Sequence, residues 1–203
     1  MFNNRMDRAY EICNAIPNQD DREVKFLRAE LLIRDERPAE AELLLQAACE
    51  CSNEEQDHFI YDSIGIFMDY MLWDYAESWC MRLKHISPKY KGLPEIEAEI
   101  KMCTGDYASA IDILNGILDI NSYNSQAWNM LAESYFSKGT FEEAIEACQF
   151  ALAINEDDFK AISTLADCYY HTSSFSKAHE YYEKALMMRQ DDALYHMDAV
   201  SLF

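Results

Sequence analysis

A chain of 203 residues, half of them apolar, can bury a hydrophobic core, and this composition excludes intrinsic disorder. Its 17 basic residues against 37 acidic residues give a formal net charge of −20, which opposes binding to nucleic acid or to an anionic membrane. The apolar runs fall far short of the about 18 residues that a membrane-spanning helix needs, and no hydrophobic signal segment follows Met1. We therefore expect a cytoplasmic protein, provided that Met1 is the natural start.

The first predicted element is an amphipathic helix over residues 2–16, within an N-terminal segment 1–21. Pro17 ends its apolar pattern, because proline lacks the N–H that a helix interior requires. Beyond this segment, alanines recur with steps of 35, 34, 34 and 34 residues, and they are Ala41, Ala76, Ala110, Ala144 and Ala178. This regular spacing predicts a row of similar structural units.

The repeated unit is clearest in segments 125–158 and 159–192. In segment 125–158 a first apolar stripe with helical spacing consists of Trp128, Leu131, Ala132 and Tyr135. After Gly139, which breaks this helix, a second stripe consists of Phe141, Ala144, Ile145, Cys148 and Ala151. Segment 159–192 repeats both stripes with Ile162, Leu165, Ala166, Tyr169, Phe175, Ala178, Tyr182 and Ala185. Each unit is therefore predicted to be a pair of antiparallel helices.

Three further segments, 22–56, 57–90 and 91–124, keep the alanine and most of the apolar places. The region 57–124 is the least regular, because Pro94, Glu97 and Lys101 stand where bulky apolar residues are expected. Proline disrupts a helix interior, so we expect the helix to begin close to Pro94. The connection before it should then contain Lys91, Gly92 and Leu93.

The order aromatic–Leu–small–aromatic, then Ala and a further aromatic residue, resembles the tetratricopeptide repeat (TPR), whose period is 34 residues. The resemblance covers residues 22–192. It implies an all-α fold, a right-handed α-solenoid of antiparallel helical hairpins with about five repeats plus terminal helices. It also implies one array over residues 1–203, in which 193–203 is either a natural capping helix or the start of a helix in a longer solenoid.

Neither the seven cysteines nor the five histidines predict a catalytic or metal site. The cysteines form no C-x2-C pair, and Cys49 and Cys51 diverge because they are two residues apart on a predicted helix. Cys80 and Cys148 occupy a core place that holds Leu45, Leu114 and Tyr182 in other segments. Because no nucleophile, phosphate-loop or dinucleotide motif is present either, we expect no enzymatic activity, no metal and no cofactor.

In the TPR family, the first helix of each repeat lines a concave groove through its second, fifth, ninth, twelfth and thirteenth places. The resemblance thus implies a mostly acidic ninth place, which holds Glu30, Gly65, Glu99, Glu133 and Asp167. It implies an apolar twelfth place, which holds Ile33, Met68, Met102, Phe136 and Tyr170. Asn129 at a fifth place and Lys160 at a second place complete the candidate groove residues.

Three of the ninth-place acids predict a ladder of unpaired carboxylates along the groove. Glu99, Glu133 and Asp167 should stand about 10 Å apart, the separation of neighbouring packed helices. At that spacing their mutual repulsion is weak, since the screening length is about 8 Å at physiological salt. The alternative is that these side chains are architectural and bond to neighbouring helices.

These features predict a non-catalytic scaffold that binds an extended peptide or a partner helix in the groove. The expected partner is a basic or neutral protein or peptide with apolar anchors. A carboxylate clamp for an acidic C-terminal tail needs Lys and Asn at the fifth and ninth places of one repeat, where this chain has Asn129 and Glu133. One alternative is a structural segment of a longer TPR protein that acts through stacking or self-association. A lower-ranked alternative is a secretion-type chaperone for an apolar segment.

Overall fold

The computed structural model describes residues 3–50 and 56–188, and within these ranges it contains eleven α-helices and no strand. The predicted all-α fold is therefore confirmed. The helices are α1 (Asn3–Ala15), α2 (Arg22–Arg34), α3 (Pro38–Glu50), α4 (Gln56–Asp69), α5 (Trp73–Ile86), α6 (Leu93–Cys103), α7 (Tyr107–Ile120), α8 (Ser125–Lys138), α9 (Phe141–Ile154), α10 (Phe159–His171) and α11 (Phe175–Met188). The helix predicted within 193–203 and the side chain of Cys51 lie outside the described residues.

The chain divides into two compact units, Met1–Leu93 and Pro94–Phe203. The first unit contains α1 and the hairpins α2–α3 and α4–α5. The second contains the hairpins α6–α7, α8–α9 and α10–α11. Each of the five hairpins corresponds to one of the 34- or 35-residue segments of the sequence.

The recurring alanines lie at the contacts between helices, as their spacing predicts. All five are buried, and their exposed fractions are 0% for Ala41, Ala76, Ala110 and Ala144 and 3% for Ala178. A methyl group is the largest side chain that allows two helix axes to approach closely, so larger apolar residues pack around these points. In the second unit that core includes Leu114, Leu131, Cys148 and Leu165.

Every hairpin turn has the same backbone geometry, including one residue with a positive φ angle. These residues recur with the alanines, and they are Glu36, Met71, Gly105, Gly139 and Ser173, with φ between 55° and 82°. In each turn this residue donates its N–H to the carbonyl three residues earlier at 2.9–3.1 Å. The next N–H is donated to the carbonyl five residues earlier at 2.8–3.0 Å. This pair of bonds is the Schellman motif, which satisfies carbonyls that the end of a helix leaves without partners.

The N-terminal helix α1 ends at Ala15, two residues before Pro17, as predicted. Its Cys13 is buried against Val24 and Leu31 of α2, and Met6, Ala9, Tyr10 and Ile16 pack around this cluster. The apolar stripe of α1 therefore covers the outer side of the first hairpin.

The helix predicted to begin close to Pro94 begins at Leu93, so that prediction is confirmed. The assignment of Leu93 to the preceding connection is wrong, because Leu93 is the first residue of α6 and its side chain is buried. Pro94 is the second residue of the helix, where its missing N–H removes no helical hydrogen bond. Lys91 and Gly92 form the turn before the helix, and Gly92 has a φ of +88°.

Side-chain caps fix where α8 and α10 begin. The Asn124 Oδ1 accepts the N–H of Ala127 at 3.1 Å. The Asp158 Oδ1 accepts the N–H groups of Lys160 and Ala161 at 3.1 and 3.2 Å. Capping bonds of this kind stabilise a helix start by about 1 kcal/mol. They also hold Asp158 at the junction between α8 and α10.

We expect the substitution Met71→Gly to raise the free energy of unfolding. The left-handed conformation costs a residue with an L side chain about 1–2 kcal/mol, and glycine avoids this cost. Part of the gain is lost, because the greater conformational entropy of glycine stabilises the unfolded chain by about 0.4–1 kcal/mol. Because the Met71 side chain is 73% exposed, little apolar burial is lost, and the net gain should be roughly 0.5–1 kcal/mol. The reverse change, Gly139→Ala, should lose a similar amount. Urea unfolding measures both, and a stabilised Gly139→Ala protein would contradict the shared turn geometry.

Enlarging an alanine at a helix contact should destabilise the fold. Ala144→Leu adds three carbon atoms to a fully buried site, which should lower the free energy of unfolding by about 1–3 kcal/mol. Ala153→Leu is the matched control, since Ala153 lies on the same helix and is exposed. Thermal unfolding of both variants tests this. Equal melting temperatures for the two would show that the Ala144 contact is loose.

Candidate functional site

The first helices of the hairpins carry the candidate site, and their second, fifth, ninth, twelfth and thirteenth places are called the first-helix face of each unit. In the second unit, α8 and α10 lie side by side on this face. The Lys160 Nζ of α10 lies 3.0 Å from Glu133 Oε2 of α8. The Asn129 Nδ2 donates to Asp158 Oδ2 at 2.7 Å. These two contacts bridge successive hairpins.

The ninth-place acids do not form a ladder of unpaired carboxylates. Glu133 is paired with Lys160, and Asp167 Oδ1 accepts the hydroxyl of Tyr182 on α11 at 2.5 Å. The prediction is therefore wrong for these two residues, because packing brings a cation or a hydroxyl donor from a neighbouring helix within reach. Glu99 is exposed and, within the described ranges, makes no ion pair or hydrogen bond. In the first unit, Glu30 lies 3.9 Å from Arg34.

Asn129 is more buried than a residue that contacts a partner in a groove should be. Its exposed fraction is 7%, and its bond to Asp158 fixes the orientation of the amide. The Oδ1 atom is consequently left buried without a hydrogen-bond donor. Such an unsatisfied acceptor costs about 1–3 kcal/mol. Asn129 and Lys160 therefore join the α8–α9 hairpin to the next one.

The twelfth-place residues are apolar in both units, but their exposure differs. In the second unit Met102 and Phe136 are half-buried and Tyr170 is exposed. In the first unit Met68 is half-buried, whereas Ile33 is buried. Apolar surface is thus available beside the acids in the second unit above all.

The rings at the ends of α8 and α10 and at the starts of α9 and α11 form an aromatic cluster, which consists of Phe136, Phe141, Tyr170, His171 and Phe175. The Phe141 and His171 rings are stacked with centroids 4.8 Å apart and an interplanar angle of 9°. The Phe136 ring meets both edge-on at 5.6 and 5.4 Å. Tyr170 meets His171 at 5.8 Å and Phe175 at 5.7 Å.

Two of these rings, Phe141 and Phe175, lie outside the groove places that the sequence predicts. The signal that could have found them is the pair Phe141 and Phe175, which are 34 residues apart and open the second helices. The thirteenth-place His171 then joins the two aromatic pairs into one cluster. The twelfth place alone shows only Phe136 and Tyr170.

The first unit also has aromatic rings on or next to its first helices, and arginines lie over three of them. The Arg22 guanidinium lies 5.5 Å from the Phe26 ring centroid and 5.7 Å from that of Phe59, and it pairs with Asp62. Arg34 lies over the Tyr70 ring at 5.7 Å and donates to its hydroxyl at 2.7 Å. These cation–π contacts satisfy the arginines within the unit.

The cysteine thiols of the second unit differ in burial and in pKa. Burial, and then the carboxylates of Glu99 and Glu133, raises the pKa of the exposed Cys103 at a thirteenth place. Burial raises the pKa of Cys168 to about 12 and that of Cys148 further above its usual range. Because Cys148 is fully buried and Cys80 nearly so, their assignment to the core is confirmed.

The described part of the chain contains neither a cluster of metal-binding side chains nor a membrane-spanning helix. There, no group of three or more His, Cys, Asp or Glu side chains could hold a metal ion. None of the helices in these ranges is both long and apolar enough to cross a bilayer. What the first-helix face offers is carboxylate, aromatic and thioether surface, which suits recognition of another molecule.

Two family models, both described as Tetratricopeptide repeat, match the chain over residues 98–159 and 135–197. No curated protein matches it. Among solved structures, MamA (41 to the end) from Desulfovibrio magneticus RS-1 has a TM-score of 0.68 at 14% identity and covers 85% of this chain and 97% of its own. YrrB, titled a TPR protein with an unusual peptide-binding site, has a TM-score of 0.64 at 15% identity and covers 97% of both chains.

A third solved structure is the first TPR of Spaghetti (RPAP3), bound to the HSP90 peptide SRMEEVD. Its TM-score is 0.50 at 23% identity, and the match covers 52% of this chain and 84% of that chain. Identities this low show a shared fold, with no transfer of residues between the proteins.

The thiols provide a chemical test of the second unit. At pH 8, iodoacetamide should alkylate Cys103 faster than Cys148 and Cys168, because burial of the latter two raises their pKa values further and keeps the reagent from their sulfur atoms. Glu99→Gln should accelerate labelling of Cys103, since removing the carboxylate lowers its pKa. Peptide mass spectrometry measures the rates, with the urea-unfolded chain as the control in which the three react alike. Native labelling of Cys168 at the rate of Cys103 would contradict the packing.

Proposed function

The chain belongs to the tetratricopeptide-repeat family, and on this premise we propose that it is a non-catalytic scaffold whose first-helix faces bind an extended peptide or a helix of a partner protein. The observation that carries the proposal is the accessible apolar row of Met102, Phe136 and Tyr170 beside ninth-place carboxylates. Contiguous apolar side chains on a protein surface mark interaction sites. An apolar row flanked by polar groups suits peptide or helix recognition.

The proposed partner is basic or neutral and carries apolar anchors. The chain has a net charge of −20, so its long-range field attracts cations. Glu99 is exposed on the face, whereas Lys160 is already paired with Glu133. A lysine or arginine of the partner near Glu99 therefore meets an available carboxylate, and its association should be accelerated by charge.

An acidic tail is a poorer partner for this face. The structural neighbour RPAP3 is bound to the peptide SRMEEVD, which supports a peptide as the class of ligand. In this chain, however, Glu133 stands at the ninth place of the repeat in which Asn129 is buried. The carboxylates of an acidic peptide would approach Glu99 and Glu133 and be repelled.

We also propose that the five hairpins build one array over residues 1–203. The support is the identical turn in all five, which includes the three left-handed residues that are not glycine. Such regularity is typical of solenoids, in which each unit packs only on its neighbours.

Self-association is the second candidate function, and an apolar patch away from the first-helix face favours it. Ile120 is 90% exposed and Tyr123 is 81% exposed. They flank Ser122, whose carbonyl accepts the Trp128 Nε1–H at 2.9 Å, and Trp128 stacks on the exposed Phe150 at 4.5 Å. A monomer in sedimentation experiments at all accessible concentrations would eliminate this candidate.

A charge-reversal pair tests the proposed function with peptides selected from a random display library against the whole chain. Glu99→Lys should weaken their binding about 3- to 10-fold, mainly through a slower association rate. Asp112→Lys, an equal charge change at an exposed residue of the second helix α7, should have little effect. Surface plasmon resonance at low and high salt measures the rates. Equal effects of the two variants would exclude Glu99 as a contact of the bound peptide.

A further inference from the structure

The aromatic cluster is open to solvent on one side. Phe175 is 60% exposed, and Tyr170 and His171 are exposed beside it. An apolar anchor such as leucine would gain most from an enclosed pocket, because its binding follows the area removed from water. Open ring faces suit a different occupant, a flat or charged group that stacks while its edge stays hydrated.

The chain itself shows what its ring faces attract. Arg22 lies over two phenylalanines, Arg34 over Tyr70 and Arg82 over Trp79 at 5.4 Å. Lys177 lies over Tyr169 at 5.0 Å. Within residues 3–50 and 56–188, by contrast, no lysine or arginine lies over a ring of the aromatic cluster. The thirteenth place of a first helix holds an arginine in α2, Arg34, which lies over a ring. The same place in α10 holds His171, which is itself a ring of the cluster.

Charge near the cluster favours a cation. Glu142 and Glu143 follow Phe141 directly in the first turn of α9, and both are exposed. Asp167 stands one turn before His171 on α10. Two lysines are near the cluster in sequence, Lys138 at the end of α8 and Lys177 in the first turn of α11, so the three carboxylates still outnumber them. The Lys177 ammonium lies over the Tyr169 ring, outside the cluster.

We propose that the aromatic cluster receives an arginine or lysine side chain of the bound partner segment, with arginine preferred. The inference rests on the proposed function and specifies one anchor of the partner. Arginine is preferred because its guanidinium is planar, weakly hydrated and able to stack on a ring while it donates hydrogen bonds at its edge. The negative ring faces and the nearby carboxylates both attract the positive charge of the partner side chain.

The first test uses small probes and needs no partner. N-acetyl-arginine amide is titrated into the whole chain, with N-acetyl-norleucine amide as the uncharged control of similar length. Arginine amide should shift the NMR resonances of Tyr170, His171 and Phe175 more than norleucine amide does, and Phe175→Ala should reduce those shifts. Equal responses to the two amides, or no response at the cluster, would overturn the inference.

The second test uses a peptide from the display selection and its variant with citrulline in place of arginine, which keeps the shape and removes the charge. Phe175→Ala should lower affinity for the arginine peptide about 2- to 30-fold, the range of cation–π contacts. It should change affinity for the citrulline peptide much less. His85→Ala is the control, an exposed ring on the second helix α5 outside the cluster, and should change neither.

The outcomes separate the two proposals. A peptide that responds to Glu99→Lys but binds equally well with citrulline, or is insensitive to Phe175→Ala, overturns the aromatic site and leaves the proposed function standing. A peptide insensitive to Glu99→Lys but sensitive to Phe175→Ala overturns only the proposed contact with Glu99. A peptide insensitive to both substitutions overturns the proposed function and the aromatic site together. Phe175→Tyr, which keeps a ring at this position, should restore binding of the arginine peptide if stacking is the cause.

Discussion

The close approach of two helices at an alanine is the constraint on which every hairpin depends. In all five hairpins the buried alanine follows the left-handed turn residue by five positions, as Ala144 follows Gly139 and Ala76 follows Met71. The turn sets where the second helix begins, and so it brings the alanine opposite the first helix at the same height each time. A larger side chain there would push the axes apart, and a different turn would move the alanine out of the contact. Turn and contact therefore act together, which explains why both recur with one period.

This constraint determines which parts of a first helix remain for binding. Once one side of the helix packs on its own hairpin, the polar side chains at its edge meet the next hairpin, as Lys160 meets Glu133 and Asn129 meets Asp158. These contacts are part of the stacking of successive units. The surface left over differs between the two units, because arginines lie over three rings in the first and a histidine lies among the rings in the second.

The sequence predicts the hairpins well because helix contacts depend on local periodicity, which a 34-residue repeat displays five times. Glycine, which adopts a positive φ readily, stands at only two of the five turns, as Gly105 and Gly139. At Glu36, Met71 and Ser173 no local preference indicates a positive φ, and the packing of the two helices imposes it. The places on the first-helix face are predictable for the same reason as the helices. The hydrogen bonds and ion pairs of these residues are not predictable, since Tyr182 reaches Asp167 and Lys160 reaches Glu133 only after separate helices have packed.

The pairing of Glu133 and Asp167 alters how a partner can be recognised. An exposed ion pair contributes only about 0–1 kcal/mol and weakens with salt, so a ladder of three available acids would have given a diffuse attraction for any cation. With two of the acids bonded, one exposed carboxylate at Glu99 remains, together with rings whose positions the hairpin turns fix. Stacking on a ring demands a definite distance and orientation, whereas attraction to a carboxylate near water does not. If the first-helix face binds a partner as proposed, these internal bonds shift its selectivity from the total charge of the partner towards the placement of particular side chains along it.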